Sequence, residues 1–181
     1  MRIQKALSLG LIIDIQEKLL PHIHNHEALV RNTEILIQGM QALELPVLAT
    51  EQYTRGLGKT IPPIAGLLPQ TDFMEKNAFS CCDDVQFTDI LKQFEKQQYV
   101  IIAGIEAHVC VMQTAVDLIE QGFIPVIVED CVSSRNENNK RIALQRMQAE
   151  GALITTYESI LFELCRYAGN DTFKQISKLV K

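Results

Sequence analysis

Five short apolar runs constrain the fold of this chain more than anything else in it: "LGLIID" at 9–14, "VLAT" at 47–50, "YVIIAG" at 99–104, "PVIVED" at 125–130 and "ALITT" at 152–156. A strand with one face in water carries a polar residue at every second position, because successive side chains point to opposite faces. These runs do not alternate, so each suits a strand covered on both faces, the mark of a parallel sheet. Longer segments with helical spacing separate them. The clearest covers about 25–44, where Leu29, Thr33, Leu36, Ile37, Met40 and Leu43 would form one stripe. Further helices are expected over about 83–97, from Cys110 to Gln121, over 137–149 ending at Gly151, and over 158–167 and 170–180. A weak strand is expected near 72–74, after a loop rich in Gly and Pro at 55–69. Gly122 stands where a helix C-terminus favours a residue free to take positive φ. The alternation specifies the α/β class. Open sheets of this kind bind ligands beyond the carboxyl ends of their strands, where the strand order reverses.

Composition narrows the function. A chain of 181 residues, 47% hydrophobic and without repeats or biased tracts, suits a single domain over 1–181. The net charge of -5 disfavours nucleic acid as a partner, since phosphate recognition needs a clustered Lys/Arg surface. The opening "MRIQKALSLGLIIDIQ" has an apolar run interrupted at Asp14 and no small-residue cleavage site, so no signal peptide is expected. No run approaches the ~18 apolar residues of a membrane span. Five cysteines, without metal-ligand spacing, suit a reducing compartment. Adjacent Cys81 and Cys82 read as ordinary thiols. A soluble, cytoplasmic protein is expected, with no membrane partner.

Three residues at strand ends could carry chemistry. Asp14 closes the first strand, Lys76 follows the weak third one, and Cys110 follows the fourth at the start of a helix. Each also has an ordinary reading: Asp14 as a cap or a partner for a backbone amide, Lys76 as a solvated surface residue, Cys110 as a small buried hydrophobe. Position favours chemistry at Cys110. A thiol among the free N–H groups at a helix N-terminus is drawn toward its thiolate, and the same amides can receive an oxyanion. His108 is two residues away along a tight turn and reads as a surface or interface residue rather than a catalytic partner. The run "HIHNH", with His22, His24 and His26, has no acidic or Cys partner at ligand spacing and reads as a solvated loop.

In order and spacing, "LIIDIQ" (11–16), "EKNAFS" (75–80) and "AGIEAHVCV" (103–111) resemble the three active-site segments of the isochorismatase-like cysteine hydrolases. "TEQYTRGLG" (50–58) and "VEDCVSSRNENNKRIALQRMQAEGALITTYES" (128–159) extend the likeness to the small subgroup of isochorismatase domain-containing proteins. The resemblance implies a three-layer α/β sandwich on a six-stranded parallel sheet ordered 3-2-1-4-5-6. It also implies a triad of Asp14, Lys76 and Cys110, and a non-proline cis peptide between Ile105 and Glu106. The N–H groups of Glu106 and Cys110 would form the oxyanion hole, and Glu51, Gln52 and Tyr53 would line the substrate pocket. The implied chemistry is hydrolysis of a C–N bond in a small-molecule amide through a thioester, without a cofactor, in a homo-oligomer. Nicotinamidases of this superfamily carry an Asp-x-His metal motif after the second strand. Residues 50–58 contain no His, so no metal is expected. True isochorismatases lack the nucleophilic cysteine, so Cys110 points away from vinyl-ether cleavage. Glu106 replaces a smaller residue common in the amidases and would add negative charge near the site. The rival class is a degenerate hydrolase fold kept as an interaction module.

Overall fold

The apolar runs become the strands of one parallel sheet. The computed structural model describes residues 2–69 and 73–181. The strands are β1 (Ser8–Ile13), β2 (Val47–Gln52), β3 (Phe73–Lys76), β4 (Tyr99–Ile105), β5 (Ile124–Ser133) and β6 (Leu153–Thr155). Their order across the sheet is β3-β2-β1-β4-β5-β6. The helices are α1 (His26–Ala42), the single turns α2 (Thr54–Leu57) and α3 (Pro62–Ala65), α4 (Val85–Leu91), α5 (Met112–Glu120), α6 (Glu137–Glu150), α7 (Tyr157–Cys165) and α8 (Asp171–Leu179). The expected strand near 72–74 is displaced: β3 starts at Phe73, residue 72 lies outside the described residues, and Lys76 ends the strand instead of following it. The helix expected over 83–97 stops at Leu91 and continues only as a tighter turn over Lys92–Phe94.

Both faces of the sheet are covered, which explains the missing alternation. Ile12, Ala49, Ile101 and Val126 face α1, α7 and α8 through Leu36, Ile37, Leu161 and Ile176. Leu9, Leu11, Ile13, Val100 and Ile102 face α4, α5 and α6 through Phe87, Ala115, Leu118 and Met147. All six residues of β1 and all seven of β4 are buried. Burying a side chain of this size stabilises by about 1.5–3 kcal/mol, so the two strands most central to the sheet are also the most firmly held. They are neighbours, with Ile13 opposite Gly104, and the chain leaves them in opposite directions across the sheet. That is the switch point, where loops diverge and leave room for chemistry.

Candidate active site

Asp14 is the first residue beyond β1, and its φ of 54° turns the chain out of the sheet. Aspartate tolerates this left-handed conformation because a short polar side chain can hydrogen-bond locally. The Asp14 N–H donates to the Thr50 carbonyl (3.2 Å), and Thr50 Oγ1 donates to Asp14 Oδ1 (2.7 Å). Its other carboxylate oxygen, Oδ2, receives Lys76 Nζ at 2.7 Å. Lys76 Nζ also meets Gln52 Oε1 (2.8 Å) and the carbonyls of Ala78 and Phe79 (both 3.2 Å). An ammonium has only three hydrogens to donate. With four acceptors around it, Lys76 has none to spare for a substrate. Burial pulls the Lys76 pKa down, but the attraction of Asp14 and its neighbours more than offsets this and leaves it above the ordinary 10.5.

Cys110 approaches this pair from β4. The Ile105–Glu106 peptide bond is cis. Glu106 then caps a wide helical turn over Ala107–Val111, in which Val111 N–H reaches back to the Glu106 carbonyl (3.3 Å). The helical segment therefore begins three residues before the expected start, and Cys110 sits inside its first turn, 6% exposed. Gly104 lets β4 pass close to β1. At its φ of +140°, a Cβ would stand 2.2 Å from the Ile13 carbonyl oxygen.

The ionisation expected of Cys110 is reversed. Burial pushes its thiol up to about 12, Asp14 adds to the effect by charge and by accepting the thiol hydrogen, and Lys76 opposes it only in part. Desolvation penalises a charge in a dry site whatever the local dipole. The resting group is a neutral thiol directed at Asp14.

Strand parity sorts the residues expected to line the pocket. Thr50 and Gln52 point to the Cys110 side of β2, whereas Glu51 points to the other face. There the Glu51 carboxylate receives Thr60 N–H (2.7 Å) and Lys59 Nζ (3.0 Å), pinning the loop after α2. Gln52 braces Lys76 through Oε1 and donates through Nε2 to the Asn77 carbonyl (2.8 Å). Tyr53, half exposed, hydrogen-bonds the Lys76 carbonyl through its N–H (2.9 Å) and stands at the rim. The charge expected from Glu106 is matched: its carboxylate receives both the N–H (3.0 Å) and Nε (3.1 Å) of Arg135. His108 hydrogen-bonds Ser134 Oγ through Nδ1 (2.9 Å) and lies 4.0 Å from Glu106.

Sequence reasoning missed three residues here. Gln16 is fully buried and clamps Gln52 at both backbone groups: Nε2 donates to its carbonyl (2.9 Å) and Oε1 accepts its N–H (2.7 Å). Thr50 holds Asp14 as described. Cys81, also fully buried, donates its N–H to Thr114 Oγ1 (2.9 Å) and its thiol to Thr50 Oγ1 (3.9 Å). Thr50 could have been found from parity, since it is two residues before Gln52 on the same face. Of the three histidines expected in a solvated loop, His26 instead opens α1, with Nδ1 3.3 Å from the Ile23 carbonyl, and His24 lies 3.8 Å from Glu137. Among the described residues, no group of three or more His, Cys, Asp or Glu is arranged to hold a metal. Open grooves of about 360 and 240 Å³ run between β5 and α6, away from Cys110.

A parallel sheet in the order 3-2-1-4-5-6, with a carboxylate, an ammonium and a thiol near its switch point, defines a doubly wound α/β protein with its candidate site where such sheets bind ligands. The isochorismatase domain model matches residues 8–159. The chain belongs to the isochorismatase family, as an isochorismatase-like hydrolase. It is 38% identical over 182 residues to isochorismatase domain-containing protein 2 of Danio rerio, covering 99% of this chain and 89% of the relative. Isochorismatase family protein 1B of Dictyostelium discoideum is 37% identical over 173 residues, covering 94% and 84%. Among solved structures, the MAR1 ribonuclease of Caenorhabditis elegans superposes with a TM-score of 0.92 at 36% identity, covering 99% of this chain and 92% of that one. The ycaC gene product of Escherichia coli, an octameric hydrolase of unknown specificity, gives 0.93 at 26% identity, covering 99% and 89%.

Proposed function

We propose that the protein hydrolyses a C–N bond in a small amide through a Cys110 thioester, with Asp14, Lys76 and Cys110 as the triad. The observation that carries this reading is the buried Asp14–Lys76 pair at 2.7 Å beside the buried Cys110, whose thiol feels the charge of both. A resting thiol held near 12 is a weak nucleophile, so its proton must leave as the sulfur attacks. Asp14 accepts that proton while the sulfur adds to the substrate carbonyl. The oxygen becomes an oxyanion facing the N–H groups of Glu106 and Cys110. Asp14 then returns the proton to the departing nitrogen, and the C–N bond breaks to leave the acyl thioester. Water attacks the thioester, Asp14 takes the water's proton and passes it to the sulfur, and the acid departs. Lys76, with every hydrogen committed, holds the Asp14 carboxylate in place and is not itself a proton donor. Gln52 acts through Lys76, and Tyr53 borders the entrance.

The test is a panel of small amides and esters, with wild type compared against Cys110→Ala and intact mass read for an adduct on Cys110. Turnover accompanied by an acyl adduct that Cys110→Ala lacks supports the scheme; unchanged turnover in the variant removes it. The name of the C. elegans neighbour raises ribonuclease activity. The net charge of -5 and the commitment of Lys76 to Asp14 and Arg135 to Glu106 speak against phosphate binding. Salt-sensitive RNA binding would restore it. A catalytically silent interaction module would show neither adduct nor turnover. We extend the octameric state of the E. coli neighbour to this chain only as self-association into a homo-oligomer, which sedimentation would measure.

A further inference from the structure

We infer that Thr50 is a positioning residue for Asp14, holding its backbone at one point and its carboxylate at another so that the carboxylate stays aimed as proton acceptor for Cys110. The inference rests on the base role proposed above for Asp14. Thr50 and Asp14 are joined twice: Asp14 N–H donates to the Thr50 carbonyl (3.2 Å), and Thr50 Oγ1 donates to Asp14 Oδ1 (2.7 Å). The first bond extends the β1–β2 ladder one residue past Ile13, which is paired with Thr50, and the second ties the side chain to the same residue. Asp14 has by then left strand geometry, with φ at 54°, and the double tie holds it in that turn.

The direction of the hydroxyl is fixed from behind. Cys81 Sγ lies 3.9 Å from Thr50 Oγ1, and burial keeps the Cys81 thiol protonated, pushed up to about 11. The thiol therefore donates to Thr50, and the one hydroxyl hydrogen of Thr50 is left for Asp14. Thr50 is also β-branched and 1% exposed, so its χ1 has little freedom to turn the hydroxyl elsewhere. Every hydrogen in the chain from Cys81 through Thr50 points at the carboxylate. Lys76 takes Oδ2 and Thr50 takes Oδ1, so both carboxylate oxygens are fixed in direction.

The test uses acetylation of Cys110 by p-nitrophenyl acetate, followed as release of p-nitrophenol and as an acetyl adduct by intact mass, across a range of pH. Thr50→Val, which keeps the shape and removes the hydroxyl, should slow acetylation about tenfold. Thr50→Ala should do the same if the valine variant fails to fold, and Thr50→Ser, which restores the donor, should stay within about twofold of wild type. Asp14→Asn separates the two levels. If it leaves acetylation unchanged, the base role of Asp14 fails and the inference falls with it. If it abolishes acetylation while Thr50→Val and Thr50→Ala match wild type across the whole profile, the positioning role alone is overturned. A loss in Thr50→Val that serine does not rescue would also overturn it, because that is the signature of a packing defect.

Discussion

Lys76 Nζ lies 2.7 Å from Asp14 Oδ2, and the two side chains are 1% and 0% exposed. A charge pair this deep holds only while both members are present, because a lone charge in the interior keeps the desolvation cost and loses the attraction that offsets it.

The first prediction concerns that pair. Asp14→Asn or Lys76→Met alone should lower the urea-unfolding free energy by about 3–5 kcal/mol, because each strands one buried charge. The double variant should lose less than the sum of the two, since neither charge remains to be stranded. An Asp14→Asn protein that unfolds within ~0.5 kcal/mol of wild type would mean that water reaches the pair in solution.

The second prediction separates ionisation from catalysis at Cys110. Burial, then the Asp14 charge and its hydrogen bond, hold the thiol up, whereas Lys76 pulls it down. Asp14→Asn should therefore increase the thiolate population of Cys110 at alkaline pH while abolishing acylation near neutral pH, where the thiol is still protonated and its proton acceptor has gone. Ultraviolet thiolate absorbance, taken as the difference from the matching Cys110→Ala protein, measures the first effect, and the acetyl adduct measures the second. A fall in thiolate in Asp14→Asn would contradict the arrangement of charges.

The strands, the helices and the candidate residues were legible because they obey local rules, whereas the strand order needed the family likeness. Apolar runs that ignore the period of two suit covered strands, and Asp14, Lys76 and Cys110 stood out as polar or reactive residues at strand ends, Lys76 the least of them, since a lysine after a weak strand is ordinary by itself. What local patterns could not reveal depended on which face a residue takes and how dry that face is. Glu51 and Gln52 are neighbours in sequence and opposite in space: one pins a loop, and the other braces Lys76. The thiol of Cys110 has the helix-terminal position that favours a thiolate, yet its burial reverses the outcome. Gln16 lies one turn of chain past the strand end, and nothing in its surroundings announces that its amide pairs with the backbone of Gln52.

Buried thiols also set the alkaline limit of stability. Burial raises Cys81 from the ordinary 9.0 to about 11 and Cys110 to about 12, and it raises Cys131 well above 9.0. Between 9.0 and those values the folded chain keeps protons that the unfolded chain has lost. The stability they contribute is therefore fully present below 9.0 and declines as pH rises through the folded values. Lys76, raised above 10.5, acts in the same direction at still higher pH. Urea unfolding at successive pH values should show a decline beginning near 9.0, shallower by up to about 1.4 kcal/mol per pH unit when Cys110 is replaced by alanine. Stability that is level across this range, or a slope that the replacement does not change, would contradict the burial of the thiol.

The last prediction tests the closest backbone approach in the site. Gly104 has a φ of +140°, and an added Cβ would lie 2.2 Å from the Ile13 carbonyl oxygen and 2.7 Å from the Ile13 nitrogen. Neither atom belongs to a flexible side chain, so the substitution can be accommodated only by parting β1 from β4. That would move Asp14 away from Cys110, because Asp14 follows β1 directly and Cys110 lies in the helical turn that follows β4. Gly122 is the matched control: its φ is +88°, and nothing lies within 4 Å of the added carbon. Gly122→Ala should cost about 1 kcal/mol, from the conformation alone. Gly104→Ala should cost at least about 3 kcal/mol or prevent folding, and any folded fraction should lose acylation of Cys110. Thermal melts of the two variants decide it. Equal losses would mean that the strands are not held as closely as this, and that the site does not depend on the glycine between them.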